Sequence, residues 1–202
     1  MIPAVTPNER RVSVAFTGYR PSKLPCLSDP DSPETKGLYK AIYDEFERLV
    51  LRDYKYFLTG GALGCDLMAA EAALALQKKY FKKRIVHELC IPCYDHDAKW
   101  EEKDKRRLEE IKKNSIVTYV SDSEYFNGCM QKRNQYMVDT SSVLVAVYDG
   151  IKGGTKNTVE YAQKKGNKLI VIRPRGMVRM QFVNTVEDIE QLMLLDESDS
   201  WG

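Results

Sequence analysis

The chain has 202 residues, 43% hydrophobic and 30% charged, which suits one domain with a sizeable core and a solvated surface. Lys and Arg number 31 against 29 Asp and Glu, a net charge of +2, so nucleic acid, whose binders usually carry a clear basic excess, is disfavoured as a partner. With no apolar run near ~18 residues, no signal-peptide order at the N-terminus and five irregularly spaced cysteines, the chain reads as soluble, cytoplasmic and reduced, with no membrane partner.

Residues 1–11 read as an N-terminal segment. Val12 to Thr17 is the first expected strand, broken by Gly18-Tyr-Arg-Pro-Ser-Lys23. Arg20 and Lys23 therefore follow the carboxyl end of a strand, where open parallel sheets place their ligands. Arg20 either pairs with phosphate as a two-pronged donor or is an ordinary solvated loop arginine. Ser32-Pro33 is a helix start, with Ser as N-cap and Pro in the first turn, and Leu38, Ile42, Phe46 and Leu49 mark the face of that helix.

Tyr56 to Leu58 is a short buried strand, followed by a turn containing Gly60, Gly61 and Gly64. A helical stripe of Leu63, Leu67, Ala70 and Leu74 comes next. Strand, glycine turn and helix together can cradle phosphate, because glycines allow close backbone approach and the helix start offers unpaired N–H groups. The spacing matches neither the dinucleotide nor the Walker pattern, and a plain tight turn explains the same glycines. Cys65 sits at the helix start, where a thiol pKa can fall.

Lys78 to Arg84 is a basic helix end and turn, Ile85 to Ile91 a third strand stopped by Pro92, and Trp100, Leu108 and Ile111 space a highly charged helix. Trp100 either packs or stacks on a base. Cys90, Cys93 and nearby His96 form a weak zinc pattern, since a structural site wants four ligands. No metal or cofactor is expected. Ile116 to Val120 is a fourth strand. Gly128 to Asp139 is a helix with Met130, Arg133 and Met137 on one face. An arginine on such a stripe must reach solvent, a carboxylate or an anionic ligand.

Val143 to Tyr148 is a fifth strand, apolar throughout, as one covered on both faces should be. Asp149-Gly-Ile-Lys-Gly-Gly154 is a second glycine turn, opening a helix that ends near Lys164, Lys165 and Gly166. Lys168 to Ile172 is a sixth strand. The alternation predicts an α/β fold: a doubly wound, Rossmann-like, mostly parallel sheet of about six strands with helices on both faces, spanning 12–174. The two glycine turns are expected to face each other above the sheet. Residues 175–202 read as an extension. Val186, Ile189, Leu192 and Met193 form an amphipathic stretch suited to homo-oligomer packing, followed by an acidic tail from Asp196.

Five short motifs then occur in order: Thr17-Gly-Tyr-Arg-Pro21; Thr59-Gly-Gly-Ala-Leu-Gly-Cys-Asp66; Ile91-Pro92 with Lys99-Trp100; Arg133-Asn134 with Met137-Val-Asp139; and Gly153-Gly-Thr155. This combination resembles the SLOG superfamily, most closely its YpsA-like branch. The resemblance implies a Rossmann-like domain that binds a nucleotide or nucleotide-derived ligand for sensing or regulation. It makes Thr17, Gly18, Arg20, Gly60, Gly61, Gly64, Asp66, Arg133, Asn134, Gly153, Gly154 and Thr155 the expected ligand-binding residues. Relatives include the DNA-processing protein DprA and the LOG phosphoribohydrolases. By resemblance to the latter, Arg133 and Glu160 would be a catalytic pair for N-glycosidic cleavage. This chain departs from their pattern with Gln131 for histidine, Asn134 for lysine, Lys152 for proline, Lys156 for the third glycine and Asn157 for threonine. Asp66 and Asp139 are further carboxylates, read as helix-end groups or as a base.

Overall fold

Strand β1 (Ser13–Thr17) is buried at all five positions, so both its edges and both its faces must be covered. Its edges pair in parallel with β2 (Tyr56–Thr59) and β5 (Val143–Val147). The sheet continues through β3 (Val86–Ile91) and β4 (Ile116–Tyr119) on one side, and through β6 (Lys168–Ile172) and β7 (Arg179–Gln181) on the other. The order is β4-β3-β2-β1-β5-β6-β7. The computed structural model describes residues 6–174 and 179–181. The amphipathic stretch at 186–193 and the acidic tail lie outside them.

The first six strands are parallel, and β7 runs antiparallel to β6. This is the expected doubly wound α/β architecture with one addition. The seventh strand is three residues long, too short for an alternating pattern to register.

Among the described residues six α-helices complete the fold: α1 (Pro7–Arg11), α2 (Pro33–Leu51), α3 (Cys65–Lys79), α4 (Glu102–Lys113), α5 (Cys129–Asp139) and α6 (Gly154–Lys164). Helices α2, α3 and α4 pack side by side as one layer, and α5 with α6 forms the other. Ser32 caps α2 by accepting from the Thr35 N–H at 3.2 Å. Helix α1 falls in the N-terminal segment, for which no element was expected. Its signal is a capping box, in which Thr6 accepts from the Glu9 N–H and Glu9 accepts from the Thr6 N–H.

Helix α3 carries more than its expected stripe. Leu67 and Ala70 join a small apolar cluster with Leu89, Ile91, Leu108 and Ile111, against which Leu63 and Leu74 pack partly buried. The opposite face, with Met68, Ala69, Ala72, Ala73 and Leu76, enters the main core. Alanines keep this helix slim, which suits a position sandwiched between sheet and neighbouring helices. Among the described residues no helix is long and apolar enough to cross a membrane.

His87 lies 1% exposed on β3. Its Nε2 is 2.9 Å from Thr59 Oγ1 and its Nδ1 2.7 Å from Ser115 Oγ. Burial lowers its pKa to about 3, so it stays neutral in the fold. An unfolded histidine titrates near ~6.5. Between these values the unfolded chain binds the extra proton, and stability falls as pH falls. His87→Gln should remove up to about 1.4 kcal/mol per pH unit of that dependence below pH ~6.5. Urea midpoints of both proteins across this range check it.

Candidate functional site

Strands β1 and β5 are neighbours whose following chains depart to opposite helical layers, β1 towards α2 and β5 towards α6. A crevice opens where such connections diverge, beyond the carboxyl ends of the strands. A cleft of about 360 Å³ occupies this place. Its lining comes from four segments: 17–23 after β1, Ala62 and Asp66 after β2, Met130, Arg133 and Asn134 of α5, and 152–155 after β5. Of the residues anticipated from sequence, Thr17, Gly18, Arg20, Asp66, Arg133, Asn134, Gly153, Gly154 and Thr155 meet here. Gly60, Gly61, Gly64 and Glu160 are not in the lining.

The two glycine turns have different roles. A Cβ on Gly60 would lie 2.0 Å from Arg133 Nη1 and 2.6 Å from Asp66 Oδ2. One on Gly64, where φ is +91°, would lie 2.7 Å from the Tyr19 carbonyl oxygen, and one on Gly18 2.5 Å from Cys65 Cβ. These glycines make room for protein. At Gly154 a Cβ would meet nothing within 4 Å, and at Gly153 only Lys23 Cε at 4.0 Å. The turn before α6 is therefore the open one, with the helix's unpaired N–H groups behind it.

Arg133 is 3% exposed. Its Nη1 donates to the carbonyls of Gly60 and Cys90, and its Nε donates to Asn134 Oδ1 at 2.7 Å. Asp66 Oδ2 lies 3.9 Å from Nη1 and accepts from the Ala62 N–H at 3.4 Å. Burial pushes the Asp66 carboxyl above its usual range, opposed by Arg133, and the same burial lowers Arg133. Nε and Nη1 of Arg133 thus hold the floor of the cleft. A carboxylate therefore stands beside Arg133, and the arginine side chain also lines the cleft. Glu160 is partly buried, six residues into α6 and about 9 Å along its axis from Gly154. Arg133 lines the cleft and Glu160 does not.

The walls are tied across the switch point. Tyr19 Oη donates to Asp149 Oδ1 at 2.5 Å and accepts from the Asp149 N–H at 3.2 Å. Burial and the Asp149 carboxylate raise the Tyr19 pKa, which keeps the phenol protonated. Thr155 Oγ1 donates to the Gly18 carbonyl at 3.2 Å, and Asn134 Nδ2 donates to Thr158 Oγ1 at 2.8 Å. Arg20, exposed, lies 3.7 Å from Met130 Sδ. With Lys23 and Lys152 it gives the lining three cationic side chains besides Arg133, against one carboxylate, Asp66. Tyr19 and Ser22 escaped the sequence reading of the site. Only their position beside Arg20 pointed to them.

The other sequence signals resolve as packing. Cys65 is fully buried, and burial raises its thiol pKa, the reverse of what an exposed helix start would do. Cys93 Sγ lies 3.9 Å from Cys129 Sγ. His96 and Trp100 meet edge to face at 5.3 Å. Among the described residues no three His, Cys, Asp or Glu side chains are grouped to hold a metal. Asp139 ends α5 and pairs with Lys165 at 2.7 Å.

The family model for the YspA SLOG family matches residues 14–174, every strand of the parallel sheet included. The chain belongs to the YspA SLOG family. Among relatives of this SLOG protein, the SPbeta prophage-derived protein YoqJ of Bacillus subtilis is 35% identical over 144 residues, covering 63% of this chain and 82% of YoqJ. The protein YpsA of Bacillus subtilis is 29% identical over 147 residues, 70% of this chain and 78% of YpsA. Two solved structures share the fold, each with a TM-score of 0.56. DNA processing protein A from Helicobacter pylori is 21% identical and covers 91% of this chain and 80% of its own. Its counterpart from Streptococcus pneumoniae is 16% identical and covers 93% of this chain and 57% of its own.

The Helicobacter pylori protein is described by its single-stranded DNA binding mode. This overturns the expectation that nucleic acid is disfavoured as a partner. The physical reason is that net charge averages over the whole surface, whereas this SLOG domain gathers cations at one cleft.

The glycine contrast and the buried pair are both testable by chemical denaturation. Gly60→Ala should cost about 1–3 kcal/mol by forcing Arg133 and Asp66 apart. Gly154→Ala should change stability by no more than about 0.5 kcal/mol. Asp66→Ala should cost about 3 kcal/mol by leaving Arg133 buried without its carboxylate, and the double variant with Arg133→Met should cost less than the sum.

Proposed function

We propose that the cleft binds a nucleotide or nucleotide-derived ligand through its phosphate. The observation that carries this reading is the open Gly153–Gly154 turn at the start of α6, overlooked by Lys23 and sharing the cleft with Arg20 and Lys152. Backbone N–H groups at a helix start and nearby cations are the two standard means of holding a phosphate. The volume lies at the small end of the ~300–1,000 Å³ typical of ligand clefts. That suits one mononucleotide-sized molecule or the end of a longer one. Thr17, Asn134 and Thr155 supply polar groups to orient it. Membership of the SLOG family agrees with this reading.

The test is mass spectrometry of the purified protein, with and without a panel of nucleoside monophosphates, ADP-ribose derivatives and a short single-stranded oligonucleotide. Solution and denatured-protein fractions are read separately. An intact phosphate-bearing molecule should be recovered from the protein. Lys152→Glu should weaken its binding about tenfold or more, and Gly154→Ala should weaken it without loss of stability. Free base in solution, lost with Glu160→Gln, would instead mark a phosphoribohydrolase. Retention of the oligonucleotide alone, falling steeply with salt, would mark DNA handling. Equal binding by wild type and Lys152→Glu would sink the phosphate reading.

A further inference from the structure

The register of the sheet places a second cleft on the face that carries α1 and α5. Ser13 of β1, Tyr56 of β2 and Val86 of β3 are aligned partners, as are Leu58, Glu88 and Ile116 of β2, β3 and β4. Alternation sends these residues to one face of the sheet. Helix α5 covers that face over β1 and β3 but stops short of the β4 edge, where Ile116 stays 58% exposed. A cavity of about 190 Å³ remains, walled by Tyr56, Glu88, Thr118, Tyr136 and Glu9 over an apolar floor.

Its chemistry is the opposite of the cleft at the strand ends. Two carboxylates and two phenol rings line it, with no cationic side chain. Tyr136 Oη donates to Glu88 Oε1 at 2.8 Å, which aims one carboxylate oxygen and fixes the ring beside it. Cys90 Sγ lies 3.8 Å from the same oxygen. Glu9 is anchored by the Thr6 N–H and hydroxyl at 2.9 and 2.7 Å, and these bonds hold its carboxyl below the ordinary range. Carboxylate oxygens accept from an ammonium group, and tyrosine faces attract a cation. The Leu58, Val86 and Ile116 side chains would cover a short hydrocarbon chain. The small volume excludes a nucleotide-sized ligand.

We infer that this second cleft, between α5 and the β2–β4 face of the sheet, is a binding site for a small aliphatic amine in its ammonium form. It shares no lining residue with the cationic cleft and stands or falls independently of that cleft's ligand.

The test is titration of the full chain, followed by amide NMR, with n-butylamine and 1,4-diaminobutane beside uncharged n-butanol. The amines should shift the Glu88, Thr118 and Tyr136 signals saturably, and n-butanol should not. Glu88→Gln should weaken the amines about tenfold or more by removing the charged acceptor. Tyr136→Leu, which keeps Glu88 and removes the ring, should weaken them too and serves if Glu88→Gln fails to fold. Lys152→Glu should leave amine affinity unchanged. Equal shifts with n-butanol, shifts centred on residues 17–23 and 152–155, or no saturable shift would each overturn the assignment.

Discussion

A buried guanidinium organises the cleft at the strand ends. Arg133 cannot shed its charge, so once α5 brings it under the sheet's carboxyl edge the surroundings must supply acceptors. The Gly60 and Cys90 carbonyls, Asn134 and Asp66 do so. Each acceptor belongs to a different neighbour: the turn after β2, strand β3, α5 itself and the start of α3. One side chain therefore sets the relative positions of four segments. The absent side chain at Gly60 is part of the same solution, because the space a Cβ needs is already filled by Arg133 and Asp66.

That constraint explains why two turns with similar sequences differ in use. A glycine can serve as room for another protein group or as room for a ligand, and both appear in sequence as the same letter. After β2 the room is taken by Arg133, Leu89 and Ile91 side chains and by the Tyr19 backbone. After β5 it is open. The strand–glycine–helix pattern was thus legible at both turns, while telling the open turn from the filled one needed the three-dimensional neighbours.

Much of the fold was legible because parallel strands buried on both faces read as apolar runs, as in Val143–Val147. The helix over 33–51 announced itself through Ser32 and its apolar stripe. Residues with local signals, such as Arg20 just past a strand, were legible as lining the carboxyl end of the sheet. The partners that residues find across the fold were not. Tyr19 matters through Asp149, 130 residues away, and Asp66 through Arg133, 67 residues away in sequence. Net charge misled for a related reason: it sums over positions that the fold separates, and so hides the grouping of Arg20, Lys23 and Lys152.

The Tyr19–Asp149 bond also bears on the order in which the molecule can be assembled. Strand β1 is made first and finds β2 within some forty residues, but its other edge belongs to β5, whose first residue is Val143. During synthesis from the N-terminus, one edge of the central strand stays unmatched until most of the chain exists. Such an edge is a template for wrong pairing while it waits. The cleft at the strand ends shares this delay, because two of its walls are the loops that follow β1 and β5. A partly made chain holds Arg20 and Lys23 without the glycine turn opposite them, so the cleft takes shape only after the last of its walls has been synthesised.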